Sequence, residues 1–179
     1  MDVSVFKIFV NWLYTSDMPE DFDDLSSMTG MPNGVEGEST AAAFLLLKAC
    51  VFGDRFLAYD FYQRAHNTFV DWNVLNPGWP WVTWEMVDYA FENLADDTPL
   101  LAMMVDLQCV YWKRGWKEEK ELFASLRKDF LFKAMLRSIH FRENPMEIGD
   151  MKECEFHVHP TETEREWCQN QERERFPET

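Results

Sequence analysis

Residues 40–56, TAAAFLLLKACVFGDRF, decide the fold class. The run is too long for a buried strand, shows no alternation of apolar and polar positions, and carries little polar surface, so it reads as a helix central to a core. A break near Gly53 and Asp54 separates it from residues 59–75, YDFYQRAHNTFVDWNVL, whose Phe61, Ala65, Phe69 and Trp72 share one helical face. Asn76, Pro77 and Gly78 end that second helix, because proline lacks a donor and glycine tolerates unusual backbone angles.

On the amino-terminal side, residues 3–14 place Val5, Phe6, Phe9, Val10, Trp12 and Leu13 at helical spacing, with Ser4, Lys7 and Asn11 on another side. Residues 16–39 lose this periodicity. With Pro19, Gly30, Pro32, Gly34 and Gly37 they read as a long, flexible acidic loop. On the carboxy-terminal side, Thr83 is the expected N-cap of a helix through Val87, Ala90, Phe91 and Leu94. Thr98 followed by Pro99 starts another, which Gly115 stops, and a further helix is expected over 120–141 with a kink near Leu126. The expected fold class is therefore all-α, a small bundle of about five or six helices with an acidic, largely irregular tail. The expected divisions are residues 1–75, 76–142 and 143–179.

Of 179 residues, 32 are acidic and 17 basic, a formal charge of −15, and 28 are aromatic. The aromatic content argues for a packed core despite the charge. A net acidic chain without a basic block is a poor partner for nucleic acid or anionic membrane, since both depend on clustered Lys and Arg. No stretch approaches the roughly 20 apolar residues that span a bilayer. The amino terminus does not read as a signal peptide, so Cys50, Cys109, Cys154 and Cys168 are expected as reduced thiols in a cytoplasmic or nuclear protein.

The segment VFKIFVNWLYTSDMP (5–19), followed by LLKACVFGDRFLAYDFYQRAHNTFVD (46–71), resembles the carboxy-terminal half of a fungal BTB/POZ domain. Trp12, Leu13, Tyr14 and Thr15 match its "WLYTG" segment, with Ser16 in place of the glycine. Leu46, Leu47, Lys48, Ala49, Val51, Gly53, Asp54, Phe56, Leu57, Ala58 and Phe61 match its helical hairpin, and residues 84–107 resemble the helical extension that follows. The family's amino-terminal half, with most of its dimerisation surface, would lie before Met1. The resemblance implies a protein partner: another BTB-type chain, a ubiquitin-ligase component or a transcription component. The helix over 3–14 would then need a cover, which marks Val5, Phe6, Phe9 and Trp12 as partner-binding candidates and makes self-association an expectation.

One constellation carries ligand chemistry: Cys154, His157, His159 and Cys168, spaced C-x2-H-x-H-x8-C. Zinc takes four tetrahedral nitrogen or sulfur ligands, and a closed set of this kind is structural because no position remains for water. Similar clusters end many fungal BTB proteins. The alternatives are two solvated histidines with free cysteines, or a Cys154–Cys168 disulfide. Other features read as structural: Cys50 and Cys109 as small hydrophobes, His66 and His140 as structural or solvated, Glu20, Asp21, Asp23 and Asp24 as a solvated loop. Asp96 and Asp97 favour a helix start, and Trp79, Pro80, Trp81 and Trp84 anchor a helix entry. Phosphate loops, nucleophile elbows and zinc-protease helices are missing from the sequence, so no catalytic residues are assigned. The expected function is a non-enzymatic, BTB-like interaction module; the alternatives are a zinc-binding tail on a helical scaffold and, last, an all-α enzyme.

Overall fold

The computed structural model describes residues 2–31, 38–75, 82–111, 126–148 and 151–175. Among them are nine α-helices, one 3-10 turn and no strand, so the fold class is all-α. The number exceeds the expected five or six because both the acidic loop and the tail contain helix. The chain divides into two compact units, Met1–Met86 and Val87–Thr179. Residues 143–179 fall within the second of these units.

In the first unit, α1 spans Val3–Thr15. Asp2 caps it by accepting the Ser4 N–H at 3.0 Å, and Ser16 ends it in the left-handed region with its N–H on the Trp12 carbonyl. The segment expected to be a flexible loop contains α2, Phe22–Thr29. Its acidic residues supply the cap: Asp21 accepts the Asp24 N–H at 2.9 Å, and Asp24 in turn accepts the Glu20 N–H. Gly30, at φ 76°, closes the helix, and full burial of Leu25 fixes it to the unit. The Lys7 ammonium donates to the Thr29 carbonyl at 2.7 Å, tying α1 to the end of α2.

The expected helical hairpin is formed by α3, Glu38–Arg55, and α4, Tyr59–Val74. Gly53 is not the break. It lies inside α3, and a Cβ there would stand 2.8 Å from the Tyr62 Cα, so glycine is what lets α4 approach. The chain turns instead at Leu57, which takes φ 55°. Phe61, Phe69, Leu46, Leu47 and Ile8 are fully buried and form the core of this unit. Each such side chain contributes about 1.5–3 kcal/mol by leaving water.

α5, Trp84–Asn93, begins with the Thr83 hydroxyl accepting the Met86 N–H at 3.3 Å, as its sequence leads one to expect. α6 is Pro99–Tyr111, an almost wholly buried helix whose Leu100, Leu101, Met103, Met104 and Leu107 form the core of the second unit. α7, Lys128–Glu143, packs on it. Of the helix expected over 120–141, residues 120–125 lie outside the described residues, Leu126 and Arg127 are not helical, and the helix described begins at Lys128. Phe130 meets Phe91 edge-on at 5.6 Å. A turn at Pro145–Glu147 precedes two helices in the former tail: α8, Glu153–Phe156, and α9, Glu162–Arg175. Gly115, Asn76–Gly78, Trp79, Pro80 and Trp81 lie outside the described residues. No helix among the described residues is long and apolar enough to cross a membrane.

Candidate metal centre

The centre is built where α8 and α9 meet. The short α8 carries Cys154, and the chain leaves it in extended conformation at His157, whose N–H still reaches the Glu153 carbonyl at 3.0 Å. The extended stretch turns His159 back toward the helix. The Thr161 hydroxyl then accepts the Glu164 N–H, and Glu162 and Glu164 place negative charge in the first turn of α9, where the helix dipole favours it. Midway along α9, Cys168 faces α8.

The result brings together Cys154 Sγ, His159 Nε2 and Cys168 Sγ, all within 4.8 Å of one another. Cys154 Sγ lies 3.4 Å from His159 Nε2, and His157 Nδ1 lies 3.3 Å from Cys168 Sγ. The His157 and His159 rings are 5.9 Å apart at 72°. Tetrahedral zinc with bonds of about 2.0–2.3 Å has ligand–ligand edges of about 3.3–3.8 Å; the two sulfur–nitrogen separations fall in that range, and the group as a whole, spread over as much as 4.8 Å, would draw together around the ion. No disulfide joins Cys154 and Cys168 in the structure. Three of the four residues that sequence spacing selected therefore form a group that can hold a metal ion, and the fourth stands beside it.

Burial pushes the Cys154 thiol up. Burial, reinforced by the neighbouring Cys154, pushes the Cys168 thiol up to about 12. Burial also lowers His159, which keeps its imidazole neutral and able to ligate. Two desolvated thiols beside a neutral imidazole form a polar cluster that a divalent cation would satisfy by taking up two thiolates.

Sequence reasoning did not find the residues that support this centre. Glu172 on α9 accepts the Cys154 N–H at 3.3 Å, and Arg175 donates to the buried Glu153 carboxylate. The two contacts fasten the end of α9 to the start of α8, at Glu153 and at the Cys154 N–H. Burial raises the Glu172 carboxyl, and the nearby Glu153 adds to the effect. Only Glu172 and Arg175, spaced i and i+3 on one helix, gave a local hint; their partners lie far back in the chain.

The remaining candidates fall elsewhere. Val5, expected on a partner surface, is 2% exposed and belongs to the core of the first unit. Phe9 and Trp12 are half-buried against Phe61, at 5.1 and 5.4 Å, and Phe9 also meets Phe52. Phe6 alone of the four is exposed. α1 packs against α2 and α3 of the same unit, and its Phe9 and Trp12 also meet Phe61 of α4. Cys50 and His66 are buried within helices, Trp84 is half-buried at the start of α5, and His140 lies 2.7 Å from Glu147. A groove of about 620 Å³ runs beside α6, α7 and α8, but its cations are engaged: Arg137 binds both oxygens of Asp106 at 2.7 Å, and Lys133 donates to the Asp96 carbonyl. No family model, curated protein or solved structure matches the chain.

Proposed function

We propose that the chain is a helical protein-interaction module whose carboxy-terminal unit is closed by a structural zinc ion. The observation that supports this reading is the convergence of Cys154, His159 and Cys168; His157, 3.3 Å from Cys168, would be the fourth ligand. Zinc would supply a cross-link between α8 and α9 and neutralise the two thiolates. Four protein ligands leave no open position, so the role is structural and not catalytic. Such a cross-link matters here because α8 is a single turn, too short to hold its own conformation in water. The proposed partner classes, a BTB-type chain or a ligase or transcription component, rest on the BTB/POZ resemblance.

Metal analysis of protein purified without chelator tests the reading. About one equivalent of zinc per chain is expected, falling well below half in Cys154→Ser and in Cys168→Ser. Cobalt substitution should give the visible spectrum of tetrahedral thiolate–imidazole coordination, changed by His157→Ala if His157 is the fourth ligand. Protein that carries no zinc, and takes up none on titration, overturns the proposal.

A further inference from the structure

α7 carries an apolar face that stays in solvent. Its Phe130 and Phe141 turn inward, whereas Leu131, Phe132, Met135, Leu136 and Ile139 are between 36% and 58% exposed. Positions 128, 132, 135, 139 and 142 follow one another by steps of four and three, the spacing of a seam by which one helix pairs with another. The helix cannot roll to hide this seam, because its other side is fixed. Arg137 binds Asp106, Lys133 reaches the Asp96 carbonyl, and the Ala134 carbonyl accepts from the Cys109 thiol.

The charges at the ends of α7 say what fits the seam. Lys128 is its first residue and Glu143 its last, both exposed, and each has the sign that its own helix dipole disfavours. Beside them stand Arg142, also exposed, and Asp129, which Arg127 of the same chain already binds at 3.1 Å. A parallel neighbour would set like charge against like. A uniformly acidic helix from another protein would match Lys128 and Arg142 but oppose Asp129 and Glu143. An antiparallel copy of the same helix sets Lys128 against Glu143 at both ends and opposes the two dipoles.

We propose that α7 is a self-recognition surface, pairing antiparallel with α7 of a second copy of this chain about a twofold axis between Met135 and Leu136. In this register Lys128 faces Glu143 of the second copy, Phe132 faces Ile139, Met135 faces Leu136, and Arg142 comes beside the Arg127–Asp129 pair. The twofold axis forms every one of these contacts twice. A 16-residue helix is about 24 Å long. A seam of that length covers less than the roughly 800 Å² per partner of a standard interface, so the dimer is a weak one, with a Kd on the order of tens of micromolar. None of the pairing residues is a metal ligand, so this pairing stands or falls separately from the zinc centre.

Sedimentation equilibrium of the full chain, from about 2 to 200 μM, tests the proposal at concentrations bracketing that Kd. A reversible monomer–dimer equilibrium is expected, and Met135→Asp should raise the Kd by at least about tenfold by burying a charge at the axis. Lys128→Glu and Glu143→Lys, each alone, should raise it by about threefold to tenfold, and the double variant should return it to within about twofold of the original. All three sites are on the surface, and circular dichroism checks that the helices are kept; should Met135→Asp lose helix, the charge exchange carries the test. A chain that is monomeric at 200 μM overturns the proposal, as does a dimer that these substitutions leave unchanged. A double variant no tighter than the single ones overturns the antiparallel register.

Discussion

Cys154 and Cys168 hold their protons at neutral pH because burial opposes the thiolate, while burial keeps His159 unprotonated. Zinc binding must therefore expel about two protons per ion, both from thiols. The sign follows: apparent zinc affinity should rise by roughly a hundredfold per pH unit around neutrality and weaken as pH falls. Titration calorimetry in buffers of different ionisation enthalpy counts the protons, and release of none would mean that the two thiols are not the ligands. Gly53 and Leu57 offer a second comparison at the same scale. Gly53→Ala drives a methyl into the Tyr62 backbone and should cost about 2 kcal/mol. Leu57→Gly removes a left-handed leucine whose side chain is mostly in solvent, and should stabilise the fold by about 1 kcal/mol, both read from urea unfolding midpoints. Sequence drew attention to Gly53 for the wrong reason: glycine ends helices often, but here it is the crossing of α3 and α4 that excludes a side chain.

At the scale of elements, the clearest designed contact is the two-pronged bond of Arg137 to Asp106, which pins α7 to α6. Asp106 is nearly buried and Arg137 about one-third exposed, so removing the cation leaves a carboxylate that water only partly reaches. Arg137→Ala should destabilise the protein by about 2 kcal/mol, toward the low end for a buried pair because of that exposure. The Asp106→Ala, Arg137→Ala double variant should lose less than the sum of the single losses, as chemical denaturation of all four proteins will show. α2 shows how an element can be misjudged while its signals are in plain view. Asp21, Asp24 and Gly30 are cap and stop residues, yet their neighbours are so polar that only the burial of Leu25 makes eight residues worth ordering. α9 is the same case in the tail, where a highly charged sequence folds around Cys168 and the Glu172 and Arg175 staples.

For the whole molecule, the acidic surplus and the metal centre act on the same region, since residues 143–179 carry 11 acidic and 4 basic residues. A divalent cation bound there would offset part of the self-repulsion as well as join α8 to α9. Hydrogen exchange followed by mass spectrometry should show this as a local effect. A zinc chelator should raise exchange at least about tenfold in residues 153–175 and leave the α3–α4 hairpin unchanged. Uniform acceleration through both units would instead indicate that the metal supports the fold as a whole.

The all-α class was written in the sequence, because helical spacing over residues 3–14, 40–56 and 59–75 is a property of each segment alone. The Cys154, His159 and Cys168 group that can hold a metal was legible for a related reason: its members lie within fifteen residues, close enough for one turn and one helix to bring them together. What covers an apolar stripe is a different matter. The pattern of α1 predicts a face in need of a partner, and α2, α3 and Phe61 of α4 pack against that helix, with Val5 turned inward. The pattern of α7 predicts the same need, yet its Leu131, Phe132, Met135 and Leu136 remain in solvent. Periodicity records that one side of a helix is apolar, whereas burial depends on which distant segments reach that side, and only the tertiary structure decides that.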